Sequence, residues 1–242
     1  MLSTKSVTAR TRANRPEEGA DDAKPSAVQR VVNVVLSRLR SGEYAPGQII
    51  VARDLMTELD LSKAPVREGI HVLVGEGVME LLPNRSARIR MLSAKDLLDF
   101  VQVWAAVGGV NLRLGAEHIG GADDRRRVAE AAKRIQRAGQ NRVPYEFFMA
   151  VSQFHSELVE LSDNGYIRSI INRAHFAHFH RHIERIFPGT YWQKHLDAFQ
   201  QIADAVLAGN GETAERVYRR HMSWVLEAMR QSLSAPAAAG QR

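Results

Sequence analysis

Lys63, Arg67 and His71 recur four residues apart, so a helix through them carries all three on one face. Val66, Ile70, Leu73 and Val74 fall on the opposite face. A short helix with one basic and one apolar face suits a reading head pressed into a DNA groove and seated on a small core. Histidines form a second group: His155, His195, His221 and the run His175, His178 and His182 at i, i+3 and i+7. Imidazoles facing one cavity can hold a divalent metal, or donate hydrogen bonds to a carboxylate or carbonyl.

The elements that must position these residues are legible from spacing. Ser62 is placed to cap the helix that carries Lys63, with Pro65 tolerated in its first turn. Ala52–Leu59 predicts the helix before it, and Lys63–Gly75 the reading helix itself. Val78–Leu82 and Ala87–Leu92 are apolar runs joined by a basic turn, which predicts a β-hairpin wing. Upstream, Val28, Val31, Val32, Val35, Leu36 and Leu39 line one face of a helix over Ser26–Ser41, stopped by Gly42. Residues 26–92 therefore read as a winged helix-turn-helix. Residues 1–25 hold almost no large apolar side chain and read as a disordered tail.

After Leu92 helical periods take over. Ser93 caps a predicted helix over Ala94–Glu117. Five more are expected at about 123–138, 145–162, 165–187, 191–208 and 212–233, with breaks at Gly139, Asn164-Gly165, Pro188-Gly189 and Gly209-Asn210-Gly211. Six helices with short connections predict an antiparallel bundle over 93–233. The Ala/Pro/Gly-rich residues 234–242 read as a second tail. The fold class is mainly α.

Composition narrows the function. A net charge of +6 over 242 residues favours a polyanionic partner, and zero cysteines exclude disulfides and thiol catalysis. No uninterrupted run of eighteen apolar residues is present, and no apolar stretch follows the basic N-terminus, so a cytoplasmic protein without a membrane span is expected. GxSxG, Walker, GxGxxG and HExxH signatures are missing, so no enzyme is expected.

Ser62-Lys63-Ala64-Pro65-Val66-Arg67-Glu68 resembles Ser-Arg-Thr-Pro-Val-Arg-Glu, the reading-helix stretch of the GntR family of bacterial transcription regulators. Gly42-Glu43-Tyr44-Ala45-Pro46-Gly47 resembles that family's Gly-x-hydrophobic-x-Pro-Gly turn, and Arg53-Asp54-Leu55 its Arg-Glu-Leu. Phe154-His155 and Arg219-Arg220-His221 are similar to the FadR subgroup, which carries the all-helical FCD effector domain. With the basic face, the resemblance implies a DNA-binding set of Arg53, Lys63, Ala64, Arg67, His71, Asn84 and Arg85. Lys63 replaces a bidentate arginine by a point charge, Ala64 keeps only a methyl, and Ser86 stands where the family usually has glycine.

The resemblance also implies an effector pocket, which relatives often build around a divalent metal held by an Asp-x-x-x-His pair and two later histidines. Here His155 and His221 match, but Val151 replaces the aspartate and Phe199 the middle histidine. Trp104 and Gly108 stand where relatives place an arginine and a glutamate. The expected effector-binding residues are Trp104, Val151, His155, Phe199 and His221, with no metal and no other cofactor. The alternative is a rebuilt metal site using His155, His221 and a further histidine, His195 or His178. The expected function is a homodimeric, ligand-responsive repressor on a DNA operator. Its small-molecule effector would be a metabolite with a carboxylate or carbonyl and an apolar part. Two rivals are a DNA-binding protein whose bundle only dimerises and, more remotely, a histidine-based metal-binding helical protein.

Overall fold

The computed structural model describes residues 25–84, 86–171, 179, 182 and 191–234. Most of the N-terminal tail, Arg85, His175, His178 and the tail from 235 onward lie outside the described residues.

The head begins with α1 (Ala27–Ser41). Ser26 Oγ accepts from Gln29 N at 3.1 Å, and the helix closes on Gly42 at φ 81°, a left-handed cap that suits glycine. After β1 (Ile49–Ile50) come α2 (Ala52–Leu59) and the reading helix α3 (Lys63–Gly75). Ser62 occupies the N-cap position of α3, but its side chain makes no capping hydrogen bond, contrary to expectation. The wing is β2 (Met79–Leu81) and β3 (Ala87–Ile89), antiparallel with Met79 opposite Ile89 and Leu81 opposite Ala87. The sheet has a third strand that spacing did not predict: β1 pairs with the outer edge of β3, giving the order β1-β3-β2. Two residues are too few to show a period, so only the pairing reveals this strand.

Val31, Val35, Leu39, Leu55, Val66, Leu73 and Ile89 make the dry centre of the head. The reading helix lies very close to α1. A Cβ on Gly69 would fall 2.7 Å from Val31 Cβ, so only glycine permits this approach without a shift.

Head and bundle join through a short polar clasp. Ser93 caps α4 (Ala94–Glu117) in a reciprocal capping box with Asp96. Asp96 also accepts from Arg90 Nη2 at 2.7 Å, which ties the end of the wing to the first turn of α4. These bonds and the neighbouring cations hold the Asp96 carboxyl below its usual range.

The bundle continues with α5 (Ala122–Asn141), α6 (Pro144–Ser162), α7 (Gly165–Ile171), α8 (Trp192–Leu207) and α9 (Gly211–Ser234). Helix α4 packs on α6 and α9, while α5 packs on α6 and α8. By length and mean hydropathy, 1.2, α4 could cross a bilayer, but it carries buried Asn111 and seats Leu112 and Ala116 in the bundle core. It is a core helix. Gly139, expected to break a helix, lies inside α5. Its bare backbone admits Leu196, whose Cδ2 would be 2.4 Å from an added Cβ. Ser234, assigned to the C-terminal tail, is instead the last residue of α9. The predicted helix 165–187 is described as helix to Ile171, and most of its remainder lies outside the described residues.

Candidate functional site

Helical period turns α3 so that Val66, Ile70 and Leu73 are buried while Lys63, Ala64, Arg67 and His71 are exposed. Arg53, in the first turn of α2, is exposed as well. Neighbouring arginines are occupied. Arg38 pairs with Glu43 and Glu58, Arg88 with Glu80, and Arg90 with Asp96. Arg30 donates to the Leu59 carbonyl at 2.8 Å, closing the end of α2. Arg53, Lys63 and Arg67 hold no ion pair with any described residue. Three outward cations without acid partners keep their donors available for phosphates and base edges.

At the wing tip, exposed Asn84 folds back: its Oδ1 accepts from Ser86 N at 3.0 Å and from Ser86 Oγ at 2.7 Å. The serine that replaces the usual glycine is thus held by a local side-chain turn. Arg85 lies outside the described residues.

In the bundle, side chains of α4, α6, α8 and α9 enclose a cavity of about 60 Å³. Trp104, Val151, Phe199 and His221 line it, as expected. His155 does not. It is fully buried just behind the wall, edge-on to Trp104 with ring centroids 4.8 Å apart and to Tyr218 at 5.3 Å. Spacing aimed His155 inward correctly but could not say that Trp104 would stand in front of it.

Several lining residues escaped the sequence reading, including Phe100, Phe147 and Tyr218. A signal existed. Each lies three or four residues from a recognised wall residue on the same helix: Phe100 from Trp104, Phe147 from Val151, and Tyr218 from His221. His195 also lines the cavity, with Nδ1 3.2 Å from His221 Nε2, so one ring donates to the other.

Among the described residues that line the cavity, none is Asp, Glu, Lys or Arg. Burial pushes His155 down to about 3, while His195, whose burial is reinforced by His221 and Lys194, also falls to about 3. Burial and then Lys194 lower His221 to about 4. All three are uncharged at neutral pH. Lys194 itself lies over the Trp224 ring, 4.1 Å from its centroid, and does not line the cavity.

The residues present do not fit the metal cage of relatives. Val151 and Phe199 sit at two ligand positions, both against the cavity, and supply no donor atom. Among the described residues, no three His, Asp or Glu side chains gather to hold a metal ion.

Known proteins agree with this geometry region by region. The bacterial regulatory proteins of the gntR family match residues 27–89, and the FCD domain matches residues 99–223. A probable D-xylose utilization operon transcriptional repressor of Paenarthrobacter nicotinovorans is 26% identical over 210 residues, covering 85% of this chain and 89% of the relative. The HTH-type transcriptional repressor RspR of Escherichia coli K12 is 22% identical over 200 residues, covering 77% of this chain and 82% of the relative. The solved structure of E. coli McbR/YncC shares the fold at a TM-score of 0.69 and 17% identity, over 85% of this chain and 98% of that one. One match falls on the winged head and the other on the helical bundle, with the clasp at Ser93 between them. The chain therefore belongs to the GntR family of bacterial regulatory proteins, with an FCD domain behind its winged head, and is a DNA-binding transcription regulator rather than an enzyme.

Proposed function

We propose that this regulator is a cytoplasmic repressor that binds a short pseudo-palindromic operator as a homodimer and responds to a small molecule in the bundle cavity, without a divalent metal. One winged head has too small a footprint for tight specific binding, and two related by symmetry double it. Two similar proteins are named repressors, which supports the sign of regulation. The observation that carries the effector reading is the cavity itself. It is a largely aromatic space within the bundle, lined by side chains of α4, α6, α8 and α9 and by Phe179, and a ligand there could bias the relative setting of those helices.

Replacing a carboxylate by Val151 removes the charge that would offset a cation's desolvation, and Phe199 fills the volume of an imidazole. Elemental analysis of protein purified without chelator or metal-affinity steps tests the metal-free part. The expected result is no stoichiometric metal. About one zinc, nickel or manganese per chain, lost in His155→Ala, would overturn it. A metabolite screen by thermal shift tests the effector part, because a ligand of the native state must raise the melting point. A hit that also changes operator retention in gel shifts is expected. A dimerisation-only bundle would give none.

A further inference from the structure

Behind the aromatic wall lies a small polar cluster that the folded protein leaves unsatisfied. Asn111, His155 and Tyr218 are each fully buried. Asn111 Nδ2 donates to the His155 carbonyl at 2.9 Å and faces His155 Nδ1 at 3.5 Å. With a donor facing Nδ1, the ring proton belongs on Nε2. That Nε2, the Tyr218 Oη and the Asn111 Oδ1 have no hydrogen-bond partner among the described residues. A buried polar atom left alone is costly, so three together call for a partner that the described residues do not supply.

Gly108 makes room for them. A Cβ there would lie 2.7 Å from Tyr218 Oη and 3.1 Å from His155 Cε1, so the missing side chain is the space that these two rings share. The cluster adjoins the cavity, because Tyr218 belongs to both and Trp104 is at once a cavity wall and the edge-on neighbour of His155.

Resting on the effector reading above, we infer that the cavity takes a small, uncharged, single-ring aromatic compound whose one hydroxyl or carbonyl is held by Tyr218, the member of the cluster that lines the cavity. The aromatic body follows from Phe100, Phe147, Phe148 and Phe199, whose ring faces and edges suit another ring. The lack of charge follows from the lining. With neutral histidines and no cation among the described wall residues, a bound carboxylate would lose its water and gain no counter-charge from them. This replaces the carboxylate considered in the sequence analysis by a hydroxyl or carbonyl. The size follows from volume: a cavity of roughly 150 Å³ holds benzene, so one of about 60 Å³ takes a single ring only after its walls move outward.

The test uses the full chain with phenol, toluene and benzoate as probes of one size, read by calorimetry and thermal shift. Phenol is expected to bind at least tenfold more tightly than toluene, and benzoate more weakly than either. Tyr218→Phe should bring phenol to within about threefold of toluene and leave toluene binding as in wild type, which also reports that the variant is folded. Equal binding of phenol and toluene to wild type would mean that the polar cluster holds only an internal water, and would overturn the inference. Benzoate binding more tightly than phenol without added metal, or no binding of phenol and toluene at millimolar concentration, would overturn it too. Benzoate binding only with added zinc or nickel would overturn the metal-free reading of the preceding section as well. The metabolite screen described there judges the effector reading separately from the ligand class.

Discussion

The reading head and the bundle cavity handle charge in opposite ways. On α3 the basic side chains are exposed, and Lys63 and Arg67 have no acid partner among the described residues. In the cavity the polar side chains are buried, and burial strips His155, His195 and His221 of charge. A surface that must find a polyanion keeps its cations solvated and free, so that long-range attraction works and little desolvation is spent before contact. A closed pocket cannot hold an unpaired ion, so it selects by shape and by a few neutral hydrogen-bonding groups. One chain thus pairs a charged outer surface with a buried aromatic cavity, joined by the clasp of Arg90, Ser93 and Asp96.

The largest test of this contrast is pH. Unfolded histidines take a proton near pH 6.5, whereas the three buried ones stay neutral until about pH 3–4. Between those limits the unfolded state binds more protons. Stability is therefore complete above about pH 6.5 and is lost as pH falls. Each histidine contributes about 1.4 kcal/mol per pH unit in that window, so the bundle should lose roughly 3–6 kcal/mol between pH 7 and pH 5. The head has no buried histidine among its described residues, so the bundle should lose more than the head. Denaturant unfolding at several pH values, with Trp104, Trp192 and Trp224 reporting the bundle, checks this. Equal losses in both regions would erase the contrast.

Next in size is Arg67→Ala, which should weaken specific operator binding by about 1–3 kcal/mol while leaving the melting point unchanged. Gel shifts on selected and random duplexes measure it, and Lys63→Arg in the same assay should alter the preferred operator more than total affinity. Wild-type behaviour in both would mean that the exposed face of α3 does not read DNA.

Gly108→Ala sharpens the cavity side. Helix propensity alone would add about 1 kcal/mol of stability. The added Cβ would meet Tyr218 Oη at 2.7 Å, so a net loss of about 1–2 kcal/mol is expected instead. A higher melting point would show that the slot is roomier than its geometry indicates.

The smallest effect concerns the clasp. Ser93→Ala removes one side of the capping box and should cost about 1 kcal/mol in unfolding experiments, without altering the intrinsic charge pattern of either region.

Much of the fold was legible because helices write their faces locally. The bounds of α2 and α3 followed from apolar spacing, and α4 from the Ser93 cap. Where local rules failed, packing had overridden them. Gly139 reads as a helix breaker, yet it sits inside α5 because Leu196 needs its missing side chain. Ile49 and Ile50 form a strand only because β3 offers them an edge. The cavity was half legible. The family resemblance pointed to Trp104, Val151, Phe199 and His221, which line the cavity, but it could not name their neighbours.

By itself, the sequence determined which side chains share a face, such as the basic stripe of Lys63, Arg67 and His71, and which positions, such as Val151 and Phe199, carry no donor atom. These are properties of residue type and of a 3.6-residue turn, and they need no partner. Tertiary structure alone decided that Phe147 of α6, Phe199 of α8 and Tyr218 of α9 line one cavity, that His155 stands behind Trp104, and that Asn111 donates to the His155 carbonyl. Which faces meet depends on how distant helices pack, and the charge of a histidine depends on all the atoms that replace its water.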